Sequence, residues 1–167
     1  GAYSLWGVLP AYWKALGNVT PAEILAHRVV WSLLFTLVIV AALGRSHELA
    51  MALWETGWYE ARMLAPFVGE PGRVTPAQMD RWCKDFDNWA FCDAMSFNLF
   101  DRTPHAWAKV AQWSTRRNEF EKRTAFALLW SLTVHDKSAG DERFEEGLAI
   151  IEREAGDERN FVKKAAN

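Results

Sequence analysis

The sequence predicts an all-α protein, an α-solenoid of antiparallel helix pairs preceded by a hydrophobic helical hairpin. Half of its 167 residues are hydrophobic and 24% are charged, which suffices for a buried core and excludes bulk disorder. Beyond residue 45, apolar residues recur at helical spacing between Gly, Pro, Asp and Asn. No run there alternates with period two for long enough to form a strand.

Two segments of the chain differ in charge. Residues 1–45 carry three basic side chains and one acidic side chain, a net charge of +2. Residues 46–167 carry 16 basic and 20 acidic side chains, a net charge of −4. A net-acidic composition by itself argues against a nucleic-acid-binding protein. The break in composition predicts two domains, residues 1–44 and 45–167.

The first domain is apolar and nearly free of charge. Residues 29–44, VVWSLLFTLVIVAALG, contain no charged side chain, and TPAE at residues 20–23 has the pattern of a helix start. We predict one long helix over residues 22–44 and a shorter, aromatic-rich apolar piece over residues 1–17. A membrane-spanning helix needs roughly 20 apolar residues. Membrane contact through residues 1–44 is therefore one interpretation, and a buried helix of a soluble protein is the alternative.

The second domain contains seven predicted helices. Thr75 and Pro76 open a capping box, and Thr103 with Pro104 repeats this start pattern. Amphipathic spacing between turn-forming residues places the helices near residues 46–68, 76–86, 89–101, 104–115, 119–135, 141–155 and 158–167.

A repeat of 41 residues links two of these helices. NEFEKRTAFALL, from residue 118, resembles RNFVKKAAN, from residue 159, so that Lys122-Arg123 corresponds to Lys163-Lys164. Helix pairs that repeat at about 40–47 residues are typical of HEAT-like stacking, which gives a solenoid with a concave face. Basic pairs at one place in the repeat would present a basic stripe to a polyanion. Solvated surface cations are the alternative interpretation.

Few residues in the second domain carry distinctive chemistry. Trp89 and Asp93 lie four residues apart and share one face of an apolar helix, where a carboxylate is costly unless it has a use. Cys83 and Cys92 are nine residues apart, which fits two reduced, buried thiols better than a zinc site or a redox pair. The histidines of the chain lack metal-ligand spacing, and we predict neither a metal nor a cofactor.

The first 44 residues resemble a transporter family. WGVLPAYWKAL followed by EILAHRVVWS is similar to the opening two helices of RarD-like transporters of the drug/metabolite (EamA) superfamily. Such transporters need many spans, and two helices cannot enclose a substrate path. The resemblance therefore implies a transporter fragment without a transport function.

Five segments of residues 45–167 carry a second resemblance: SHELAMALWETGWYEARMLA, VTPAQMDRWCKDFDNWAFCD, NLFDRTPHAWAKVAQWS, EFEKRTAFALL and DERNFVKKAAN, in that order. Together they resemble the DNA alkylation repair family, whose AlkD-like members have HEAT-like repeats. The resemblance implies an alkylpurine DNA glycosylase. Such an enzyme hydrolyses the N-glycosidic bond of cationic alkylated bases, such as 3-methyladenine and 7-methylguanine, in double-stranded DNA without flipping the base into a pocket, unlike most glycosylases.

The same resemblance implies roles for particular residues. The family's aromatic residue and its aspartate correspond to Trp89 and Asp93, which become the catalytic candidates. The family's second cleft tryptophan would follow Asn167, so we expect a chimera whose repair-like domain is truncated at both ends. The expected DNA contacts are the basic residues Arg123, Lys122, Lys163 and Lys164.

Three functions follow from these observations. The glycosylase is favoured by Trp89 with Asp93. A non-catalytic HEAT-like scaffold that binds DNA or protein is the alternative, favoured by the missing second tryptophan. A membrane transporter fragment is supported only by residues 1–44. We expect a monomer that is cytoplasmic through residues 45–167, with membrane association if residues 1–44 insert.

Overall fold

The computed structural model describes Gly44 and residues 46–166. These residues belong to the second of two units into which the chain divides, 1–42 and 43–167. The predicted hairpin of residues 1–44, with its long helix over residues 22–44, lies outside the described residues except for Gly44.

The described residues are helical and contain no strand, which confirms the all-α prediction. None of the helices within residues 46–166 is long and apolar enough to cross a membrane. Two short 3-10 helices, Pro71–Arg73 and Phe100–Arg102, lie in loops. The α-helices of this part of the chain are α1 (His47–Glu55), α2 (Tyr59–Val68), α3 (Pro76–Lys84), α4 (Trp89–Asn98), α5 (Ala106–Ser114), α6 (Glu119–His135), α7 (Asp141–Glu154) and α8 (Asn160–Ala166).

The helix predicted over residues 46–68 is an antiparallel pair in the structure. Between α1 and α2, Gly57 has a φ of 72°, a conformation that glycine adopts without the steric cost of a Cβ. The amide of Ser46 donates to the carbonyl of Val68 at 2.8 Å, so the start of α1 lies beside the end of α2. The single-helix prediction was wrong because the amphipathic spacing on the two sides of Gly57 resembles one continuous pattern.

Side-chain caps mark the start of several helices. Thr75 accepts a hydrogen bond from the amide three residues later, as its capping box predicts. Asn88 and Asn118 cap α4 and α6 in the same way. The predicted cap at Thr103 was wrong, because its hydroxyl donates to the carbonyl of Phe100 at 2.7 Å and α5 begins only at residue 106.

The helices stack in two layers. In one layer α2, α4, α6 and α8 follow one another, each in contact with the next, and α1, α3, α5 and α7 form the other layer. The pairs α1 with α2 and α5 with α6 pack closely across the two layers. Helix α6 touches neighbours in both layers and is largely buried over residues 122–132. This arrangement confirms the predicted HEAT-like stacking of helix pairs.

Tryptophan contacts hold the layer of α1, α3 and α5 together. Trp54 of α1 stacks on Trp82 of α3 with ring centroids 4.7 Å apart. Trp113 of α5 donates from Nε1 to Asp80 of α3 at 2.8 Å, and the Nζ of Lys109 lies 2.7 Å from the same carboxylate. Lys109 is buried, so this ion pair offsets the cost of removing its charge from water. Helices α3 and α5 of this layer pack against α6 of the other layer.

Both cysteines are free and fully buried. Burial disfavours the thiolate, which raises the pKa of Cys92 to about 12 and that of Cys83 well above its ordinary value. Because the thiolate is the reactive species, we expect neither thiol to react with an aromatic disulfide reagent in the native protein at mildly alkaline pH. Both should react in denaturant, as measured by the absorbance of the released thiolate. Rapid release of one equivalent from the native protein would contradict this prediction.

Candidate functional site

The candidate site is centred on an ion pair between α4 and α6. Nη2 of Arg123 donates to Oδ1 and Oδ2 of Asp93, at 2.9 and 3.0 Å. Nη1 of Arg123 donates to the carbonyl of Phe161 in α8, at 3.0 Å. One guanidinium therefore joins three helices of the same layer and fixes the orientation of the Asp93 carboxylate.

The two partners of this ion pair differ in exposure. Arg123 is 9% exposed, whereas the side chain of Asp93 is 26% exposed. The Nε of Arg123 is buried and has no hydrogen-bond partner among the described residues. The other two nitrogens of Arg123 donate hydrogen bonds to Phe161 and Asp93. This geometry favours a role in orienting Asp93 over a role in binding a phosphate. The expected DNA contact of Arg123 stays a prediction.

A cleft of about 380 Å³ opens beside the ion pair. Asp93 and Arg123 lie at its wall, and apolar side chains of α6, α7 and α8 line much of the rest. Lys164 of α8 adds a second cation to the lining, and its Nζ lies 5.9 Å from the ring centroid of Phe161. The cleft thus places a partly open carboxylate and an exposed ammonium beside an apolar wall.

Helices α4 and α6 run in the same direction past this cleft. Asp93 pairs with Arg123, and one turn further along α4 the ring of Phe97 packs edge-on against Trp130, with centroids 4.6 Å apart. The residue numbers of the contacting positions therefore increase in the same direction along both helices, as they do in a parallel pair. Trp89, the first residue of α4, lies one turn before Asp93 and is 53% exposed. It does not line the cleft itself.

Trp130 is the cleft residue that sequence reasoning missed. It lines the cleft and is 59% exposed. Its position seven residues after Arg123 was a usable signal, since two helical turns return a side chain to the same face. The signal was overlooked because tryptophans are numerous in this sequence and most at helical spacing belong to the core.

Lys122 points away from the cleft into a buried ion-pair cluster. Its Nζ donates to Asp157 at 2.8 Å and also to Glu154. The hydrogen bond from Lys122 lowers the pKa of Glu154, and that of Asp157 is lowered chiefly by its hydrogen bond from Arg159, with Lys122 contributing. The expected DNA contact of Lys122 stays a prediction, and these ion pairs favour a structural role that joins α6 to the end of α7.

The two basic pairs of the repeat have the same arrangement. The second member of each pair, Arg123 and Lys164, lines the cleft. The first members, Lys122 and Lys163, do not line it, and Lys163 is exposed with its Nζ 2.8 Å from Glu158. In each basic pair, therefore, the second residue lines the cleft and the first forms an ion pair outside it.

A buried carboxylate lies in the 3-10 helix that follows α4, against the end of α6. The fully buried side chain of Asp101 contacts Nδ1 of His135, and burial raises the pKa of the Asp101 carboxyl. This contact is in keeping with a structural role for His135. Within the part of the chain that the structure describes, no group of three or more His, Cys, Asp or Glu side chains is placed to hold a metal ion.

Curated relatives match only short parts of the chain. An uncharacterised transporter of Bacillus subtilis (strain 168) is 35% identical over 63 residues, which is 38% of this chain and 18% of that protein. An uncharacterised transporter of Vibrio cholerae is 54% identical over 44 residues, 26% of this chain and 14% of that protein. Protein RarD of Escherichia coli (strain K12) is 48% identical over 40 residues, 24% of this chain and 14% of that protein. The chain thus spans less than a fifth of the length of each of these relatives.

A solved structure and a family model each match more than three quarters of the chain. The structure comes from a study described as "A new family of proteins related to the HEAT-like repeat DNA glycosylases with affinity for branched DNA structures". It superposes with a TM-score of 0.67 at 18% identity and covers 77% of this chain and 55% of its own, which shows the HEAT-like fold. The model of the DNA alkylation repair enzyme family matches residues 38–167, so the chain belongs to that family.

Proposed function

We propose that residues 45–167 form an alkylpurine DNA glycosylase-like domain that acts on double-stranded DNA. Its reaction is the hydrolysis of the N-glycosidic bond of cationic alkylated bases such as 3-methyladenine and 7-methylguanine. The observation that carries the proposal is the partly exposed Asp93 carboxylate, held in one orientation by Arg123 at the wall of a cleft.

The proposed chemistry needs a fixed negative charge and little else. As the N-glycosidic bond breaks, positive charge develops on the deoxyribose, and a carboxylate beside it stabilises that charge. The same carboxylate can accept a proton from the water that attacks the sugar. An alkylated purine that already carries a positive charge leaves as a neutral base, so no strong general acid is required. The proposal involves no metal and no cofactor.

The other residues have supporting roles in this proposal. The exposed indole of Trp89 offers an electron-rich face to the sugar or to the cationic base. Arg123 orients Asp93 rather than reacting. Lys164 contacts a phosphate, which positions the duplex without reading its sequence. Lys163 and Lys122 contribute less to binding, because both are paired with carboxylates.

The direct test incubates the purified protein with duplex DNA methylated at guanine N7 and measures the free 7-methylguanine by chromatography. The expected result is release above the spontaneous rate. A protein that binds the duplex but releases no base would overturn the glycosylase proposal.

The second candidate is a non-catalytic scaffold that binds DNA. It is supported by the Arg123 contact to both oxygens of Asp93, since a carboxylate that is fully engaged has less charge to offer a sugar cation. Binding without base release would support this candidate. Comparing the affinity for a four-way DNA junction with that for a linear duplex would then show whether the bound structure is branched.

The two neighbouring lysines of α8 should differ in their effect on DNA binding. Lys164→Ala should weaken binding and reduce the slope of log K against log salt by about 0.9, the value for one lost phosphate contact. Lys163→Ala is the matched control. It removes the same charge from the neighbouring residue, whose side chain is paired with Glu158. Fluorescence anisotropy over a salt series measures both slopes. Equal slopes for the two variants would contradict the proposed phosphate contact of Lys164.

A further inference from the structure

We propose that Trp130 is a second aromatic contact of the site, packing against the nucleotide at Asp93 from the side opposite Trp89. This inference rests on the proposed function, because it assumes that DNA enters the cleft. Nothing in the motifs that point to Asp93 and Trp89 includes Trp130; its assignment comes from exposure and helix register.

The exposure of Trp130 needs an explanation. It is a large indole on α6, a helix that is otherwise buried over residues 122–129, yet it is 59% exposed. Exposing so much apolar surface forgoes part of the free energy that burial would supply. Its ring is also held in place, because Phe97 of α4 packs edge-on against it at 4.6 Å. A rigid, exposed aromatic surface is suited to stacking on a ring or a sugar.

The parallel register of α4 and α6 places Trp130 on the far side of Asp93 from Trp89. Trp89 is one turn before Asp93 on α4, and Trp130 is level with Phe97, one turn after Asp93. At 1.5 Å per residue, the eight residues from Trp89 to Phe97 span about 12 Å. A base stacked between two rings needs only about 7 Å, twice the 3.4 Å base spacing of one DNA strand, so the two indoles would contact different parts of the nucleotide rather than both faces of its base. The Asp93 carboxylate lies between the two levels.

The chemistry of the proposed ligand fits two indoles. A cationic alkylated purine beside an electron-rich indole face gains a cation–π attraction, which a neutral purine does not. Two such faces around one carboxylate would favour the charged base in the ground state, and the sugar cation as the bond breaks. Trp130 is therefore a positioning and specificity residue in this proposal.

The test measures binding of a duplex that carries one 7-methylguanine on a 2′-fluorinated sugar, which keeps the cationic base and resists its release, with the unmodified duplex alongside. Trp130→Ala should bind the lesion duplex about tenfold or more weakly, the range found when a stacking aromatic is removed. Trp130→Phe should recover most of that affinity, because it keeps a ring. Leu148→Ala, an equally exposed apolar side chain on α7 that does not line the cleft, should bind as the wild type does.

The outcomes separate this inference from the proposed function. Wild-type affinity in Trp130→Ala would overturn the role of Trp130. Whether DNA binds in the cleft would then be decided by the result for Lys164→Ala. Equal losses in Trp130→Ala and Trp130→Phe, accompanied by a fall in melting temperature, would also overturn it, since they indicate a structural effect. A wild-type protein that binds neither duplex would overturn the proposed function together with this inference.

Discussion

Asp93→Asn should slow the release of 7-methylguanine from methylated duplex DNA by about 100-fold or more. The substitution keeps the shape of the side chain and an oxygen that can accept a hydrogen bond from Arg123, but it removes the negative charge. Removing one preorganised electrostatic contact to a developing charge costs roughly this much in other enzymes. Single-turnover release with the protein in excess over DNA measures the chemical step without product release.

Two controls make this prediction specific to chemistry. Asp93→Asn leaves the buried guanidinium of Arg123 without a counter-ion, so its melting temperature and its affinity for DNA must be measured beside its rate. Glu152→Gln removes the same charge from an exposed position on α7 and should leave the rate unchanged. A folded, DNA-binding Asp93→Asn protein that releases base as fast as the wild type would exclude Asp93 from catalysis.

Lys122→Met should lower the free energy of unfolding by about 3 kcal/mol, the low end of the range for removing one partner of a buried ion pair. Without the ammonium, the largely buried carboxylates of Glu154 and Asp157 lose the cation that they share. The low end applies because Arg153 and Arg159 still contact these carboxylates. Urea unfolding followed by circular dichroism measures the change.

The difference between Lys122→Met and the wild type should depend on pH with a definite sign. The pKa values of Glu154 and Asp157 are lowered in the folded protein, from ordinary values of 4.5 and 3.8. Such carboxyls stabilise the fold above their ordinary pKa and lose that contribution as the pH falls through the lowered values. The destabilisation should therefore be largest near neutral pH and shrink below about pH 4. Lys163→Met, which removes an exposed partner of Glu158, should cost less than about 1 kcal/mol at any pH. A similar loss in both variants would contradict the buried cluster.

Most helix positions of residues 76–135 could be predicted from sequence because amphipathic spacing marks them, and at α3 the cap agrees with the spacing. Thr75 shows this agreement, since its capping box and the start of α3 coincide. The break at Gly57 could not, because a single glycine between two apolar stretches is compatible with either a kinked helix or a turn. Only the packing of α1 against α2, with Ser46 beside Val68, decides for the turn.

The site was predictable in its types of residue but not in their contacts. Spacing and family resemblance single out Asp93, Trp89 and the two basic pairs. Which member of each pair faces the cleft depends on the helix rotation, which a two-residue basic motif does not specify. The ion pair of Asp93 with Arg123 joins positions 30 residues apart, and only the stacking of α4 on α6 brings them together.

Because Arg123 contacts three helices and also orients Asp93, engineering this domain for stability would conflict with its proposed chemistry. Replacing a buried ion pair by well-packed apolar residues is often neutral or stabilising, so a screen for heat resistance alone would favour losing Asp93 and Arg123 together. Such a variant would keep the stack and lose its charged centre. A library selected for survival of heating should therefore also be selected for DNA binding and base release, or it will converge on a thermostable protein whose cleft lacks the carboxylate.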